Sequence, residues 1–289
     1  WQVDPARVRV ATDVGVGVVE ILRAFTAPGD GILISSPVYQ NFYTWMNETK
    51  VTCIDVPFIH QPSDDVSIAW SIDWLGIEKA YSSGIKIHLL CSPHNPIGRV
   101  YSREELSKFL ALAVKYDVII ISDEIHAPLT YSGNSFTPFA TVSPEARERV
   151  ITLTSASKSW NLAGLKCSIF FTENQELHEK LEPLVKGIRH RASLIGAVGH
   201  VAAFSQADEW LDSAIATMES SNALLQKYVA QMWPNVRISQ PKNSYLSWID
   251  FSETKLGEDP AVELLEKARV SLSSGIPFGA GGKHHARLN

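Results

Sequence analysis

The sequence predicts an α/β protein built on a mostly parallel sheet with helices on both faces. Short β-branched runs alternate with helical stretches over most of the chain. Runs such as IKIHLLC at 85–91 and DVIIIS at 117–122 carry apolar side chains on both alternating faces, as strands covered on both sides require. A chain of 289 residues, 45% of them hydrophobic, is long enough to bury a sizeable core.

The first part of the chain contains strand-like runs separated by helical segments. The predicted strands are 31–35, 51–56, 85–91, 117–122, 150–154 and 167–172. The predicted helices are 14–26, 102–116 and two long helices within 174–231. Ser102 and Glu105 have capping-box spacing, in which the serine oxygen and the glutamate bind unpaired amides of the first turn. This spacing predicts where the second helix starts.

The pattern changes near residue 235, where a second, smaller α+β domain is predicted to begin. Strands are predicted at 236–240 and 245–250, and a helix at 260–268. We therefore divide the chain into a large domain, 1–234, and a partial small domain, 235–289. The chain opens almost directly on a strand-like VRV and stops in another strand-like run, so we expect it to be truncated at both ends.

Composition excludes several classes of partner. The 26 basic and 31 acidic residues give a net charge of −5, and no run of lysine and arginine offers a surface for nucleic acid or anionic lipid. No apolar run reaches the roughly 18–20 residues of a membrane helix, and the N-terminus lacks a signal-peptide pattern. We therefore expect no membrane contact and a cytoplasmic location. The three cysteines lack metal-ligand spacing and are interpreted as reduced packing residues.

A cluster of hydroxyl groups surrounds one lysine where the strand-like run 150–154 ends. Thr154, Ser155 and Ser157 precede Lys158, and small residues follow it. Hydroxyl groups can bind a phosphate, and the lysine amine can form a Schiff base with an aldehyde. The alternative is an ordinary turn with an exposed lysine.

Two further segments place polar side chains directly after strand-like runs. Asp123 follows an apolar run, at the edge where open α/β sheets bind ligands, and a buried carboxylate there can pair with a protonated ring nitrogen. Asn95 lies in SPHNPIG, where Pro93, Pro96 and Gly98 favour a rigid turn that positions its side chain. The alternatives are that Asp123 caps the next turn and that the Asn95 segment is purely structural.

Taken together, these segments resemble the fold-type I enzymes that depend on pyridoxal 5'-phosphate (PLP). Asn95, Asp123, Lys158 and Arg287 follow one another in the order and spacing of that group. The closer resemblance is to the branch of the class I/II aminotransferase superfamily that includes cystathionine β-lyases and other carbon–sulfur lyases. It rests on SSPVYQNF, SPHNPIGRV, SDEIHAPLTYSGNSFTPFA, SKSWNLAG and FGAGG…RLN. The fold it implies is a PLP-dependent transferase-like large domain with part of the small domain.

The resemblance implies a role for each matching residue around the cofactor ring. Lys158 is the lysine that bonds to the cofactor and then moves the α-proton of the substrate. Asp123 keeps the ring nitrogen protonated, Asn95 hydrogen-bonds the phenolic oxygen, and Tyr39 stacks on the ring. His126 also belongs to the cofactor site, at a position where ordinary aminotransferases usually have a tyrosine, and this favours the lyase branch.

The resemblance also implies a phosphate site and a substrate site. The phosphate residues are Asp13, Val14, Gly15, Ser155, Ser157 and Lys166. Backbone amides at the helix start near Asp13 suit an anion. Arg287 would bind the substrate carboxylate in a bidentate fork, with Tyr39 and Asn95 beside it. The alternative for Arg287 is a surface strand arginine, and no metal is expected at His284 and His285.

The implied function is a PLP-dependent carbon–sulfur β-lyase that acts on a small amino acid, cystathionine or a related cysteine conjugate. Its products would be a thiol, pyruvate and ammonia. The alternatives are an aminotransferase and a catalytically silent remnant of the PLP fold. The resemblance implies a homodimer, although the N-terminal segment that supplies a tyrosine to the partner's phosphate site is missing from this sequence.

Overall fold

The strands lie in two sheets in the computed structural model, which describes residues 2–62 and 67–289. In chain order the strands are β1 (Arg9–Ala11), β2 (Gly31–Ile34), β3 (Thr52–Asp55), β4 (Ile59–Pro62), β5 (Ser67–Ser71), β6 (Ile87–Cys91), β7 (Ile119–Asp123), β8 (Val150–Thr154), β9 (Ser168–Phe171), β10 (Arg237–Ser239), β11 (Ser247–Asp250), β12 (Ser273–Ser274) and β13 (His285–Leu288). The α-helices are α1 (Val14–Phe25), α2 (Asn41–Thr49), α3 (Trp74–Ser82), α4 (Arg103–Tyr116), α5 (Pro144–Arg149), α6 (Ala156–Ser159), α7 (Gln175–Ile188), α8 (Leu194–Gln206), α9 (Asp208–Met232) and α10 (Pro260–Ala268).

The first sheet has seven strands in the order β1-β9-β8-β7-β6-β2-β3. The pairs from β8 through β7, β6 and β2 to β3 are parallel, whereas β9 runs antiparallel to both β8 and β1. The predicted mostly parallel α/β fold is therefore confirmed. Because parallel strands point the same way, the segments that follow β6, β7 and β8 emerge at one edge of the sheet.

The central strands are buried on both faces. In β6, Ile87 and Leu89 belong to a hydrophobic cluster with α1 and α7, whereas Leu90 belongs to a cluster with α3 and α4. In β7, Ile120 and Ile121 divide between the two clusters in the same way. Each such side chain contributes about 1.5–3 kcal/mol through burial, which makes this sheet a firm base for the loops at its edge.

The second sheet has six strands in the order β12-β13-β11-β10-β5-β4. Its strands β4 and β5 belong to the predicted large domain, in a part of the chain where no strand was predicted. β10 pairs in parallel with β5, so that Ile238 lies beside Ser67. Two strands that pair across such a long separation in the chain leave no local signal in the sequence. The division at 234/235 stays a prediction.

The predicted helices agree with the structure except in the segment 174–231. This segment forms three helices, α7, α8 and α9, and the prediction of two was wrong. Ser193 starts α8, because its side chain accepts a hydrogen bond from the amide of Gly196. A further interruption at Ala207 separates α8 from α9.

Two expectations from composition concern membrane-spanning helices and the cysteines. No helix of the residues described is long and apolar enough to cross a membrane. Cys53, Cys91 and Cys167 are all free, as expected. Cys91 and Cys167 are buried, as expected of packing residues, but Cys53 is exposed, so the packing role was wrong for Cys53.

The capping box at the start of α4 is present, and its loss should lower stability. Ser102 Oγ accepts from the amide of Glu105, whose carboxylate accepts in turn from the amide of Ser102. Ser102→Ala should reduce the free energy of unfolding by about 1 kcal/mol, measured by urea denaturation. Ser107→Ala on the same helix is the control, since Ser107 bonds only the preceding turn at Arg103. Equal losses in both variants would contradict the capping assignment.

Candidate active site

A cavity of about 640 Å³ lies at the edge where β6, β7 and β8 end. Both the loops after these strands and the second sheet contribute to its wall. The residues predicted from the sequence that line it are Asp13, Val14, Gly15, Tyr39, Asn95, Asp123, His126, Ser157, Lys158, Lys166 and Arg287. The fold thus brings together side chains that are widely separated in the chain.

Lys158 projects from the short helix α6 into this cavity. Burial is the main cause that lowers the pKa of Lys158, and the positive charge of Arg287 lowers it as well, while Asp123 opposes both. A lowered pKa favours the neutral amine, which is the form that acts as a nucleophile or a base.

Ser155 is the predicted phosphate residue that the structure does not place on the cavity wall. Its side chain is only 1% exposed, and its Oγ donates to the carbonyl oxygen of Cys167 at 2.6 Å. The same oxygen accepts from the amide of Ser157 at 3.1 Å and caps α6. Ser155 therefore holds the turn that presents Ser157 and Lys158, and its hydroxyl is already engaged.

Asp123 and Glu124 are adjacent but face different surroundings. Glu124 accepts hydrogen bonds from the amide of Phe139 and from Ser122 Oγ, each at 3.0 Å, and so joins the end of β7 to the segment at Phe139. Asp123 lines the cavity and accepts from the amide of Ile125 at 3.2 Å. Burial raises the pKa of Asp123 to about 7, although this hydrogen bond and the charge of Lys158 oppose the rise. Ionised Asp123 therefore favours a cationic partner within the cavity.

His126 is held in the cavity wall by two residues that precede β11. Its carbonyl oxygen accepts from Asn243 Nδ2 at 2.8 Å, and its Nδ1 lies 3.1 Å from Ser244 Oγ. Burial, with smaller contributions from the charges of Lys158 and Arg287, lowers the pKa of His126 to about 3. The imidazole is therefore neutral near neutral pH and serves as a hydrogen-bonding group.

Arg287 reaches the cavity from β13 and contacts both the second sheet and the loop after β6. Its Nη1 donates to Asn95 Oδ1 at 3.3 Å, its Nη2 donates to Ser273 Oγ at 3.5 Å, and its guanidinium lies 5.0 Å from the ring centre of Phe278. Because a guanidinium only donates, Asn95 must accept through Oδ1, which leaves Asn95 Nδ2 able to donate to a ligand. This orientation suits the predicted contact of Asn95 with a phenolic oxygen.

The N-terminus of α1 forms the other end of the cavity. Asp13 caps the helix, because its Oδ1 accepts from the amide of Val16 at 2.9 Å. Lys166 Nζ lies 3.6 Å from Asp13 Oδ2, so the lysine offsets the negative charge of the cap. A Cβ on Gly15 would lie 2.8 Å from the Trp45 ring, so glycine lets these two elements approach. The positive end of the helix dipole and a lysine here suit an anion.

Several lining residues were missed in the sequence analysis. They are Thr12, Gln40, Asn41, Trp45, Cys91, Ile125, Ala163, Cys167, Tyr245, Leu246, Ser273 and Asn289. Asn41 was within reach of prediction, since it belongs to the motif SSPVYQNF and its Nδ2 donates to the Tyr39 hydroxyl at 2.8 Å. Tyr245 lay in a run that predicts only a strand, and its position beside His126, 6.1 Å between ring centres, depends on how the sheets meet.

The family model for aminotransferase class I and II matches residues 2–289. The chain belongs to the class I and II aminotransferase family. The resemblance found in the sequence is therefore confirmed, as is dependence on PLP. Membership of this family implies an amino-acid substrate.

Individual members of the family are similar to this chain over nearly its whole length. Cystathionine beta-lyase of Corynebacterium glutamicum is 34% identical over 99% of this chain and 74% of its own length. Cystathionine beta-lyase PatB of Bacillus subtilis is 30% identical over 100% of this chain and 74% of its own length. The crystal structure of cystalysin from Treponema denticola, which contains a PLP cofactor, matches with a TM-score of 0.93 at 28% identity, over 100% of this chain and 73% of that chain.

The cavity fits the three reactive parts of PLP. A buried carboxylate, Asp123, forms no ion pair with the residues described and suits a protonated ring nitrogen. The amine of Lys158 suits an aldehyde, and the N-terminus of α1 with Lys166 suits a phosphate. The donor set therefore matches the cofactor of the aminotransferase family.

The cost of burying Asp123 should appear as a pH-dependent stability difference in the cofactor-free protein. The folded state favours protonated Asp123, so its contribution is complete below the ordinary aspartate pKa and is lost as pH rises through about 7. Asp123→Asn should therefore stabilise the cofactor-free protein by roughly 1–3 kcal/mol at about pH 8 and much less at about pH 4. Urea denaturation at both pH values measures this difference.

The control for this prediction is Asp117→Asn. Asp117 is exposed and pairs with Arg149, which lowers the pKa of Asp117, so its removal should give no gain at the higher pH. A gain for Asp123→Asn that was the same at both pH values would contradict the assigned effect of burial.

Proposed function

We propose that this protein is a PLP-dependent carbon–sulfur β-lyase that releases a thiol, pyruvate and ammonia from cystathionine or a related cysteine conjugate. The observation that carries the proposal is the meeting of Lys158, Asp123 and Arg287 in one cavity. Cystathionine beta-lyases among the relatives, similar along nearly the whole chain, support this reaction over others of the family. A cytoplasmic location stays a prediction.

Bound PLP supplies an aromatic ring that accepts electrons from the substrate's α-carbon. Asp123 maintains that capacity by holding a proton at the ring nitrogen through its buried carboxylate. Asn95 Nδ2, left free because Oδ1 accepts from Arg287, donates to the phenolic oxygen. Tyr39, which is half-buried and lines the same cavity, would stack on the ring.

Lys158 performs the proton transfers in this proposal. The neutral amine, favoured by burial and by Arg287, removes the proton from the substrate α-carbon. The bond between the β-carbon and sulfur then breaks, the sulfur leaves with the electron pair, and the proton that Lys158 removed is returned to the sulfur to give the thiol. Water finally converts the remaining carbon skeleton to pyruvate and ammonia.

Arg287 orients the substrate for this proton transfer. Its guanidinium is fixed by Asn95 and Ser273 and lies on the aromatic face of Phe278, so its direction is set before substrate binds. A planar guanidinium matches a carboxylate in a bidentate fork. The α-carboxylate of an amino acid bound there places the α-carbon near Lys158.

The lyase reaction should be detected as pyruvate formed from L-cystathionine by the PLP-loaded protein. Pyruvate, thiol and ammonia should appear in equal amounts, with a simultaneous change in the absorbance of the bound cofactor. A change in absorbance without pyruvate would replace the lyase with an aminotransferase, to be identified with a panel of amino acids and keto acids. Cofactor binding without any spectral response to amino acids would identify a silent remnant.

The assigned base is tested by Lys158→Ala, which should abolish pyruvate formation while leaving at most noncovalent PLP. The matched control is Lys115→Ala, because Lys115 is exposed and pairs with Glu78 away from the cavity. Undiminished turnover in Lys158→Ala would rule out the proposed mechanism.

A homodimer is also part of this proposal, and an exposed apolar face of α8 supports it. Leu194, Ile195, Val198 and Val201 are 80%, 73%, 64% and 67% exposed. A contiguous apolar surface of this kind favours association with another protein surface. A second copy of the chain would remove this surface from water.

Val198→Glu should disrupt the homodimer, because it places a charge in the middle of this apolar face. Sedimentation velocity should show a dimer for the unmodified protein and a monomer for the variant. Glu209→Lys, an exposed change of charge on α9, should remain a dimer. Monomers for the unmodified protein would refute this part of the proposal.

A further inference from the structure

His94 is a buried side chain whose two ring nitrogens both have hydrogen-bond partners. The residue is 2% exposed, and its ring packs edge-on against Phe58 with 4.8 Å between the ring centres. Nε2 lies 2.9 Å from the carbonyl oxygen of Pro37, and Nδ1 lies 3.1 Å from the hydroxyl of Tyr101. His94 thereby joins the loop after β6 to the loop after β2.

The contact with Pro37 determines the tautomer of His94. A carbonyl oxygen only accepts hydrogen bonds, so Nε2 carries the proton and donates it to Pro37. Burial and the charge of Arg99 lower the pKa of His94 to about 4, against the opposing effect of the Pro37 bond. The ring is therefore neutral near pH 7, and Nδ1 accepts from Tyr101.

The two loops that His94 joins each present a side chain to the cofactor cavity. Asn95 follows His94 directly, and Tyr39 lies two residues after Pro37. Other hydrogen bonds of the Tyr39 loop lead away from Asn95, since Ser36 bonds Asp55 and the Val38 amide donates to Phe278. The strands that lead into these loops, β2 and β6, pair directly in the sheet. Beyond the ends of these strands, the His94 contact with Pro37 joins the two loops.

We propose that His94 is a positioning residue that sets the separation of Tyr39 and Asn95 across the cofactor ring. The inference rests on the proposed function, because it takes Tyr39 and Asn95 as cofactor contacts. His94 lies outside the cavity wall and acts through these two neighbours.

Two amide substitutions separate the two hydrogen bonds of His94. A glutamine amide nitrogen occupies about the place of Nε2, so His94→Gln keeps the bond to Pro37 and loses the bond to Tyr101. An asparagine amide occupies about the place of Nδ1, so His94→Asn keeps the bond to Tyr101 and loses the bond to Pro37. Tyr101→Phe is the matched control, since it removes only the bond at Nδ1.

The experiment compares the affinity for PLP and the visible circular dichroism of the bound cofactor in these variants. His94→Asn should bind PLP about 10-fold more weakly, with a diminished dichroism signal, because Tyr39 and Asn95 no longer hold the cofactor ring at a fixed angle. His94→Gln and Tyr101→Phe should stay within about 3-fold of the unmodified protein. Thermal unfolding of the loaded proteins establishes that each variant is folded.

Comparing the folding stability of each variant with its PLP affinity distinguishes a positioning role of His94 from a structural one. Each variant leaves one buried partner without its hydrogen bond, so a structural role would weaken all of them alike in both folding and PLP affinity. Equal PLP affinities in His94→Asn and His94→Gln would overturn the proposal, as would a Tyr101→Phe variant that matched His94→Asn. A loss of PLP affinity that is specific to His94→Asn supports the inference even if the protein releases no pyruvate. The lyase assignment is tested separately, by pyruvate release.

Discussion

The site depends on the parallel register of β6, β7 and β8. Cys91 lies beside Asp123, and Asp123 lies beside Leu153, so the three strands end at the same level. The segments that carry Asn95 and Lys158 therefore leave the sheet next to Asp123. A slip of one residue would turn the Asp123 side chain to the opposite face of the sheet, because side chains alternate along a strand.

The second sheet completes the cavity through apolar and polar contacts with the first. Trp248 and Phe278 belong to the same hydrophobic cluster as Ile97, so the base of the second sheet shares a core with the loop after β6. Arg287 on β13 donates to Asn95, and this contact joins the second sheet to the loop after β6. The shared core fixes the distance between the sheets, and the polar contacts direct the side chains.

The cavity contains ionisable groups whose charged forms are disfavoured by burial. Asp123 is buried and Lys158 is partly buried. Burial raises the pKa of Asp123 and lowers the pKa of Lys158, so it favours the neutral form of each. Buried ionisable groups are costly unless they are paired. A cofactor with a protonated ring nitrogen and a phosphate supplies the missing charges, so stability and function are linked at this edge of the sheet.

The sequence by itself determined the local features: the apolar runs that form the central strands, the capping box at Ser102, and the identity and order of Asn95, Asp123 and Lys158. These depend on residues close together in the chain. The tertiary structure decided that β5 joins the C-terminal sheet, that Ser155 turns to Cys167 instead of the cavity, and that Tyr245 enters the wall. Strand pairing over long distances and the direction of a side chain depend on packing against distant residues, which no local pattern records.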